Sequence, residues 1–369
     1  MTFSTFDQEM MALALQEAGK ATMETSPNPK VGCVLVKDGK LIGQGHTQKV
    51  GHAHAEVMAL RDAASKGNDV GGATAYVTLE PCSHFGRTPP CANALIEAGV
   101  ARVVAAIEDA NPQVAGRGFA MLRDAGIEVL HGLMAAEARE MNIGFLSRMQ
   151  TGKPWVRLKM AASLDGFTAL PNGHSQWITD AEARADGHRW RGRADAIVTG
   201  IGTVLADDPQ MTVRLEGHEA IHQPRKIVVD SKLRTPEHAQ VVQSGEATLV
   251  HAHAAWLQES KIERLQAKGV QLLELPNASG SAVDLNALVI ELGRQQLNEL
   301  HVEAGASLSG ALMAAGLVDE LLLYLAPKFL GAGKTMFELP ALVDVNQAMS
   351  WQVHEMKQIG NSIRVVLRK

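Results

Sequence analysis

The feature that most constrains this chain is one histidine and two cysteines, spread over its first hundred residues. His54, Cys82 and Cys91 offer an imidazole and two thiolates, which are ligands that zinc favours. A catalytic zinc takes three protein ligands and leaves a fourth position for water, so the fold must bring all three side chains together. Each residue taken alone could instead be ordinary core packing, since buried free cysteine and hydrogen-bonded histidine are common in cores.

The neighbours of these residues favour the catalytic alternative. His54-Ala55-Glu56, then Pro81-Cys82 and a second downstream cysteine, follow the signature of zinc-dependent base deaminases. In that signature the glutamate is not a ligand but transfers protons, so Glu56 is predicted to be the catalytic acid and base. Eight residues separate the two cysteines where the common signature has two, so the insert "SHFGRTPP" must loop out.

Local sequence predicts how these residues are positioned. Two prolines precede Cys91 and predict a helix that begins there and ends at Gly99. The amide N–H groups of that first turn should favour the thiolate of Cys91. His54 and Glu56 would point apart inside a helix, so we expect them at the first turn of one. Cys33 lies in an apolar strand and is assigned to packing.

Length and composition limit the class of protein. A chain of 369 residues predicts two domains, and 46% hydrophobic with 20% charged residues is typical of globular proteins. The formal net charge of −5 gives no support to polyanion binding but is compatible with small charged ligands. The start of the chain lacks the pattern of a signal peptide, and no apolar run reaches the roughly 18 residues of a membrane span. We therefore expect a cytoplasmic protein with free cysteines.

Strand-like and helical segments alternate in both halves, which predicts an α/β fold with helices covering a sheet. In the first half, "VGCVLV" and "LIGQG" flank Asp38-Gly39 as a predicted hairpin. A polar helical stretch ends at Gly152 and Pro154, after which the pattern restarts. We therefore expect one domain over residues 1–150 and a second over residues 151–369.

Several motifs resemble one known family. "SPNPKVGCVLV", "GHAHAEVMAL" and "TLEPCSHFGRTPPC" resemble the deaminase half of the bifunctional deaminase/reductases of riboflavin biosynthesis. "LKMAASLDG", "SQWIT", "TVLADDPQMTVR", "VDSKLR", "VEAGASLSGAL", "GLVDEL" and "APKFLG" resemble the reductase half. The long insert between the cysteines is usual in that family. The resemblance implies a cytidine-deaminase-like N-terminal domain followed by a dihydrofolate-reductase-like C-terminal domain.

The resemblance also implies the reactions. A zinc-dependent hydrolytic deamination would act on 2,5-diamino-6-(5-phosphoribosylamino)pyrimidin-4(3H)-one. An NADPH-dependent reduction of the ribosyl group to ribityl would then give 5-amino-6-(5-phosphoribitylamino)uracil. In the first half it implies contacts to the base and sugar at Asn28, His46 and His84, and a contact of Arg87 with the 5′-phosphate. Arg suits phosphate because of its forked hydrogen bonding, although an ordinary solvated loop arginine is the alternative.

The second half lacks a complete glycine-rich nucleotide fingerprint. "GIGTVL" has no third glycine and "GAGKT" lacks the first glycine of a P-loop. Two strand-turn-helix joints, "AIVTGIGTVLADD" and "LHVEAGASLSGALMAAG", still place small residues at helix N-termini, where free N–H groups can receive a phosphate. A tight turn that needs glycine explains the same letters, and sequence alone leaves both interpretations open.

For this half the resemblance implies two sets of contacts. Those to NADPH are Ala161, Trp177, Thr203, Ser231, Gly305, Ala306, Ser307, Leu308, Ser309, Gly310 and Ala311. Those to the substrate are Ser175, Arg191, Asp207, Met211, Arg214 and Glu303, of which the two arginines suit the ribosyl phosphate chemically. Lys159 and Glu303 are candidates for the group that protonates or polarises the opening sugar, although Lys159 could simply extend to solvent. Asp165, before a glycine, is interpreted as a turn former.

Two other functions fit parts of the pattern. A polynucleotide base deaminase would share the zinc chemistry, but it should carry a basic, aromatic-rich track, and this chain has 4% aromatic residues and a net negative charge. A protein with a structural zinc should supply four ligands, and only three are evident. The resemblance implies a small phosphorylated pyrimidine as the partner. Together with the apolar closing strands, it also predicts a homodimer, with a tetramer as the alternative.

Overall fold

The chain forms two compact units, Met1–Gly152 and Lys153–Lys369. The computed structural model describes residues 3–83, 90–112, 114–215, 222–252 and 259–369. Within those ranges, no helix combines the length and the apolar character that a membrane crossing requires.

The first unit is a sheet covered by helices. Its strands are β1 (Gly32–Lys37), β2 (Lys40–His46), β3 (Thr74–Val77), β4 (Arg102–Ala105) and β5 (Glu128–His131), and its helices are α1 (Thr5–Gly19), α2 (Ala55–Ser65), α3 (Cys91–Glu97), α4 (Arg117–Asp124), α5 (Ala135–Met141) and α6 (Ile143–Thr151). The described strands lie in the order β2-β1-β3-β4-β5. β1 pairs antiparallel with β2 and β3, whereas β3, β4 and β5 are parallel. The carboxyl ends of β3 and β4 therefore meet at one edge.

Local sequence signals set the early elements as predicted. Asp38 and Gly39 have φ angles of 51° and 73°, the positive values that a two-residue hairpin turn needs, so the predicted hairpin is confirmed. Helix α2 lies directly on β2 because that strand carries glycine at its contacts. A Cβ atom on Gly43 would lie 2.4 Å from the carbonyl oxygen of Ala59, which leaves room for no larger residue. This close packing brings the first turn of α2 to the edge of the sheet.

The second unit is built on a larger, mostly parallel sheet. Its strands are β6 (Trp155–Ser163), β7 (Phe167–Ala169), β8 (Ala196–Gly200), β9 (Arg225–Val229), β10 (Ala247–His251), β11 (Gln271–Glu274), β12 (Glu299–Val302), β13 (Glu320–Ala326), β14 (Lys334–Thr335), β15 (Gln352–Ile359) and β16 (Ser362–Arg368), and its helices are α7 (Ala181–Arg191), α8 (Ile201–Asp207), α9 (Gln240–Gln243), α10 (Glu259–Ala267), α11 (Leu285–Arg294) and α12 (Ala306–Ala314). The described strands of the main sheet lie in the order β11-β10-β9-β8-β12-β6-β13-β16-β15. Those from β11 to β13 are parallel, and β16 and β15 add antiparallel pairs.

The central strands place polar side chains on one face. Glu299 and His301 alternate along β12 and are buried, and Glu303 follows at the carboxyl end, where its N–H bonds to the carbonyl of Val198 (2.9 Å). Neighbouring β6 carries Lys159 in the register Leu158↔Val302. In an open parallel sheet this carboxyl edge is where ligands bind, so the topology marks the region around Glu303 as the candidate site of the unit.

Candidate zinc centre and reductase site

Three metal-ligating side chains converge at the edge of the first sheet. The ligand atoms of His54, Cys82 and Cys91 all lie within 4.8 Å of one another. His54 caps the N-terminus of α2, and Cys91 is the first residue of α3 after Pro90, so both predicted helix starts are confirmed. Cys82 follows β3 at the carboxyl edge. Among the residues that the structure describes, this cluster supplies three ligands rather than four, which fits a catalytic zinc better than a structural one.

The distances between the donor atoms suit zinc. The Nδ1 atom of His54 lies 3.6 Å from the Sγ atom of Cys82 and 3.4 Å from that of Cys91. Tetrahedral coordination with standard Zn–N and Zn–S bonds would separate nitrogen from sulfur by about 3.6 Å. The three side chains therefore already have the spacing of a zinc site.

The two cysteines differ in charge preference, and here one expectation was wrong. Helix N–H groups were expected to favour the thiolate of Cys91, but the Cys91 N–H donates to the sulfur of Cys82 (3.3 Å). A hydrogen bond from the Cys91 thiol, with others from His54 and this amide, lowers the pKa of Cys82 to about 4. The same thiol–thiolate bond, together with burial, raises the pKa of Cys91. Metal binding to such a pair releases the remaining proton.

Glu56 lies beside this cluster in the first turn of α2 and is 3% exposed. Burial raises the pKa of Glu56 to about 7, and the negative charge of Cys82 adds to the shift. A carboxyl group near neutrality in water-excluded surroundings can both accept and return a proton at neutral pH. The geometry therefore agrees with the role predicted for Glu56.

A second acid near the zinc cluster was missed in the sequence. Asp109 follows β4, whose carboxyl end lies next to that of β3, and its carboxylate accepts the N–H of Asn111 (2.8 Å). Burial raises the pKa of Asp109 to about 6, and the charges of Glu80 and Cys82 contribute. The signal that could have found Asp109 is its place directly after a buried strand parallel to the one that precedes Cys82.

The proposed pocket residues of the first unit are only partly described. Asn28 lies in the loop before β1, where its N–H donates to the carbonyl of Thr25 (2.9 Å). The loop is held by Asn142, whose side chain bonds both the N–H (2.8 Å) and the C=O (2.9 Å) of Lys30. His46 ends β2, half-buried. His84 and Arg87 lie outside the described residues.

In the second unit, Lys159, Arg191 and Glu303 come together across the sheet and α7. Arg191 donates through Nε and NH2 to the two carboxylate oxygens of Glu303, the second at 2.9 Å. The Nζ atom of Lys159 lies 3.8 Å from Glu303, and a ring nitrogen of His301 lies 3.2 Å from it. Burial alone would raise the pKa of Glu303, but Lys159 and Arg191 outweigh it and hold that pKa well below the usual value. Glu303 is therefore ionised.

Of the other residues implied as substrate contacts, Met211 and Arg214 flank a segment that bonds to this cluster. The NH1 group of Arg191 also donates to the carbonyl of Thr212 (2.9 Å), between Met211, which is buried, and Arg214, which is exposed. The backbone N–H of Arg214 donates to Nδ1 of His188 (3.1 Å), a residue that the sequence analysis did not single out. Asp207 ends α8, and Ser175 lies in the loop between β7 and α7.

The residues implied as NADPH contacts follow the carboxyl ends of adjacent strands. Gly305 caps α12, and the bond from Ser309 N–H to Gly305 C=O (3.1 Å) is the first of that helix, so the preceding N–H groups lack intrahelical partners. A Cβ atom on Gly200 would lie 3.3 Å from Leu308, so the turns after β8 and β12 touch. Free N–H groups at such a turn suit a pyrophosphate. Thr203, on α8, belongs to the same edge.

The remaining predicted positions differ in what holds them. The hydroxyl of Ser231, after β9, accepts the N–H of Val283 (3.1 Å). Trp177 is 63% exposed and stacks under Arg184, whose Cζ lies 4.3 Å from the ring centroid. Ala161, on β6, pairs with the backbone of Tyr324.

Gly310 and Asp165 have structural roles that the sequence did not indicate. A Cβ atom on Gly310 would lie 2.1 Å from the carbonyl oxygen of Glu338, so packing already requires glycine there. Asp165 was interpreted as a turn former, which is incomplete. Its carboxylate accepts the N–H groups of Leu330 (3.0 Å) and Gly331 (2.8 Å) and thereby joins two loops that are distant in sequence.

Comparison with known families agrees with this division. Residues 4–107 match the zinc-binding region of cytidine and deoxycytidylate deaminases, and residues 154–365 match the RibD C-terminal domain. Fold and sites together define a zinc-dependent deaminase joined to an α/β reductase of the dihydrofolate-reductase type.

Full-length relatives narrow the class to one family. The riboflavin biosynthesis protein RibD of Escherichia coli (strain K12) is 48% identical over 370 residues, covering 97% of this chain and 98% of the relative. That of Haemophilus influenzae is 43% identical over 381 residues, covering 99% and 98%. The chain therefore belongs to the RibD family of riboflavin biosynthesis. It is a bifunctional deaminase and reductase that acts on a small molecule and uses zinc and NADPH as cofactors.

Solved structures agree over the full chain. RibD of Acinetobacter baumannii (form 1) superposes with a TM-score of 0.89 at 41% identity, and 98% of each chain is covered. A diaminohydroxyphosphoribosylaminopyrimidine deaminase/5-amino-6-(5-phosphoribosylamino)uracil reductase from Thermotoga maritima superposes with a TM-score of 0.87 at 30% identity, again over 98% of each chain.

Proposed function

We propose that the unit Met1–Gly152 deaminates 2,5-diamino-6-(5-phosphoribosylamino)pyrimidin-4(3H)-one and that the unit Lys153–Lys369 reduces the product. The name of the Thermotoga relative supports this substrate class and the two activities. The observation that carries the proposal is the convergence of His54, Cys82 and Cys91 within 4.8 Å beside a buried glutamate. The final product would be 5-amino-6-(5-phosphoribitylamino)uracil.

In the deaminase unit, each residue near the cluster has a separate task. His54, Cys82 and Cys91 would hold the metal, since their donor atoms have tetrahedral spacing. Bound zinc lowers the pKa of a water molecule to about 7, which makes that water a nucleophile at neutral pH. Glu56 takes the proton of the attacking water and returns it to the departing amino nitrogen, which leaves as ammonia. The raised pKa of Glu56 suits both directions of transfer.

The substrate would be bound by residues around the mouth of this site. Asn28, His46 and His84 are proposed to contact the base and sugar, and Arg87 is proposed to contact the 5′-phosphate. The support for Asn28 is its loop, which the Asn142 side chain fastens by two hydrogen bonds to Lys30. For His84 and Arg87 the support is the sequence motif alone.

In the reductase unit, the charge cluster favours Lys159 over Glu303 as the proton donor. Glu303 is held ionised by Arg191 and Lys159, so it has no proton to donate. We assign the donor role to Lys159, which gives a proton to the ring oxygen of the sugar as the bond from C1′ to that oxygen breaks. Bound NADPH supplies the hydride that C1′ receives. Glu303 keeps the Lys159 ammonium in place.

Arg191 and Arg214 are proposed to have different roles. Arg191 donates two N–H groups to the carboxylate of Glu303 and a further one to the carbonyl of Thr212. Its proposed role is therefore to orient Glu303 and not to bind the phosphate. Arg214 is exposed and is the better candidate for the ribosyl phosphate. Ser175, Asp207 and Met211 would line the same pocket.

NADPH would lie along the carboxyl ends of β9, β8, β12 and β6. The free N–H groups of the first turn of α12 would receive its pyrophosphate, and Thr203 and Ser231 would contact the same cofactor. Trp177 and Ala161 would border its nicotinamide end. The support is geometric, since these positions share one edge of the sheet.

A homodimer is proposed from the far edge of the second sheet. β15 is the edge strand, and Val353 and Met356 on it are 66% and 71% exposed. Val343 and Val345 nearby are 94% and 84% exposed, which is unusual for apolar side chains of a monomer. Replacing Val353 and Met356 together by lysine should convert dimer to monomer in sedimentation velocity, and an unchanged assembly would place the interface elsewhere.

A cytoplasmic location is also proposed. Cys33, Cys82 and Cys91 are all free thiols, which a reducing compartment preserves. Both cofactors and the small substrate are compatible with that compartment.

The two activities are tested by one incubation. Purified protein is mixed with the diaminopyrimidinone ribosyl phosphate, first without and then with NADPH, and products are identified by mass. We expect deamination without NADPH, followed by a gain of two hydrogens after it is added. Reduction of the undeaminated compound, or no ammonia from the zinc-loaded protein, would contradict the proposed order.

A further inference from the structure

A buried carboxylate just before the zinc ligand Cys82 has an unusual set of partners. Glu80 is 3% exposed, and its side chain accepts four backbone N–H groups from one distant segment, which comprises the loop after β4 and the first turn of α4. Oε2 bonds Asp109 (3.1 Å) and Gly116 (3.0 Å), and Oε1 bonds Gly118 (2.9 Å) and Phe119 (3.3 Å). A buried carboxylate is costly unless it is satisfied in this way, so that segment and Glu80 stabilise each other.

The same segment also packs closely against the backbone between Glu80 and Cys82. A Cβ atom on Gly118 would lie 2.0 Å from the carbonyl oxygen of Pro81, so only glycine permits the contact. On its other side, Cys82 is held by α3: its carbonyl accepts the N–H of Ala92 (3.2 Å), and its sulfur accepts that of Cys91 (3.3 Å). The segment that carries Cys82 is therefore packed between α3 on one side and the first turn of α4 on the other.

We propose that Glu80 is a positioning residue for the zinc centre: it holds the segment 80–82 so that the sulfur of Cys82 faces Nδ1 of His54. It acts through the backbone, the loop after β4 and the first turn of α4, and it touches neither metal nor substrate. The proposal rests on the assignment of Cys82 as a ligand. Groups that orient metal ligands without binding the metal often affect metal affinity strongly, typically by about 10- to 100-fold.

The test is Glu80→Gln, which keeps the shape of the side chain. The amide has one acceptor oxygen, and its NH2 group would face two backbone N–H donors. We expect zinc transfer to a chromogenic chelator to become at least about tenfold faster. The absorption spectrum of the Co²⁺-substituted protein should also change, and ammonia release should fall. Reduction of supplied 5-amino-6-(5-phosphoribosylamino)uracil should continue at the parent rate and so report an intact second unit.

The matched control is Glu108→Gln, the same change at an exposed residue of the same loop region. It should leave zinc transfer and the cobalt spectrum as in the parent. Gly118→Ala tests this packing from the other side without altering Glu80, and it should accelerate zinc transfer as well. This second variant decides the question if Glu80→Gln fails to fold.

A merely stabilising role gives a different result. If Glu80→Gln lowers the melting temperature but keeps the parent zinc transfer rate and cobalt spectrum, the positioning role is overturned. The same holds if Gly118→Ala behaves as the parent. Failure of the deaminase assignment itself would appear in the parent protein, as zinc that does not bind or ammonia that is not released, and is thus distinguishable.

Discussion

Two glutamates, one in each unit, have opposite protonation preferences. Glu56 faces the thiolate of Cys82 and buried surroundings, and its pKa is raised to about 7. Glu303 is less enclosed, with 19% of its side chain exposed, and Lys159 and the guanidinium of Arg191 lie against it, so its pKa falls well below the ordinary value. The difference teaches that burial alone does not set the role of a carboxylate. Burial, with the charge of Cys82, suits Glu56 to the proton transfer that we propose for it, whereas two cations favour the anion of Glu303.

The largest effect is expected at Glu56. Glu56→Gln keeps the size of the side chain but cannot carry the proton, so ammonia release should fall by about 10²- to 10⁴-fold. Zinc content should stay at the parent value, and reduction of supplied deaminated substrate should be unchanged. Ammonia assay and metal analysis measure this, with Glu97→Gln, at an exposed position of α3, as the control. Deamination that survives the change would remove Glu56 from proton transfer.

Next in size is the loss of the proposed proton donor of the second unit. Lys159→Ala should slow NADPH oxidation by about 10²-fold, the lower range for general acid catalysis, while deamination continues. Lys268→Ala, at an exposed position, is the matched control. Absorbance of NADPH follows the reaction. Reduction at the parent rate would exclude Lys159 from the mechanism.

A smaller effect is expected at Glu303, and it tests the difference in protonation between the two glutamates. Glu303→Gln leaves Lys159 and Arg191 without their anion, so the unit should lose about 1.5–3 kcal/mol of unfolding free energy as well as reductase turnover. All five tryptophans lie beyond residue 153, so fluorescence during denaturation reports on this unit alone. Exposed Glu263→Gln should change neither quantity. Stability equal to the parent would mean that the cations do not depend on Glu303.

The smallest effect concerns pH. Burial, with Arg191 and Arg214, lowers the pKa of His188 to about 4. Between about pH 6.5 and about pH 4, His188 is protonated in the unfolded chain but neutral in the folded one. The free energy of unfolding therefore falls as the pH drops through that range. His188→Gln removes this contribution. Its melting temperature by tryptophan fluorescence should therefore depend less on pH in that window, and equal slopes would contradict the shift.

Sequence alone predicted the elements that depend on near neighbours. The hairpin at Asp38-Gly39, the helix start at Cys91 and the place of His54 before α2 all follow from turn and cap preferences within a few residues. The zinc ligands could be named for the same reason, because their motif is made of short, ordered pieces of chain.

The tertiary structure decided the matters that depend on distant pairs. Arg191 and Glu303 are 112 positions apart, and nothing in the local sequence of either shows that one serves the other. Two other features likewise depend on which strand ends meet at one edge of the sheet. They are the hydrogen bond from the Cys91 N–H to the sulfur of Cys82 and the backbone N–H groups that bond to Glu80. Chemical groups can be read from the chain, but their charge states follow from neighbours that only folding brings within a few ångströms.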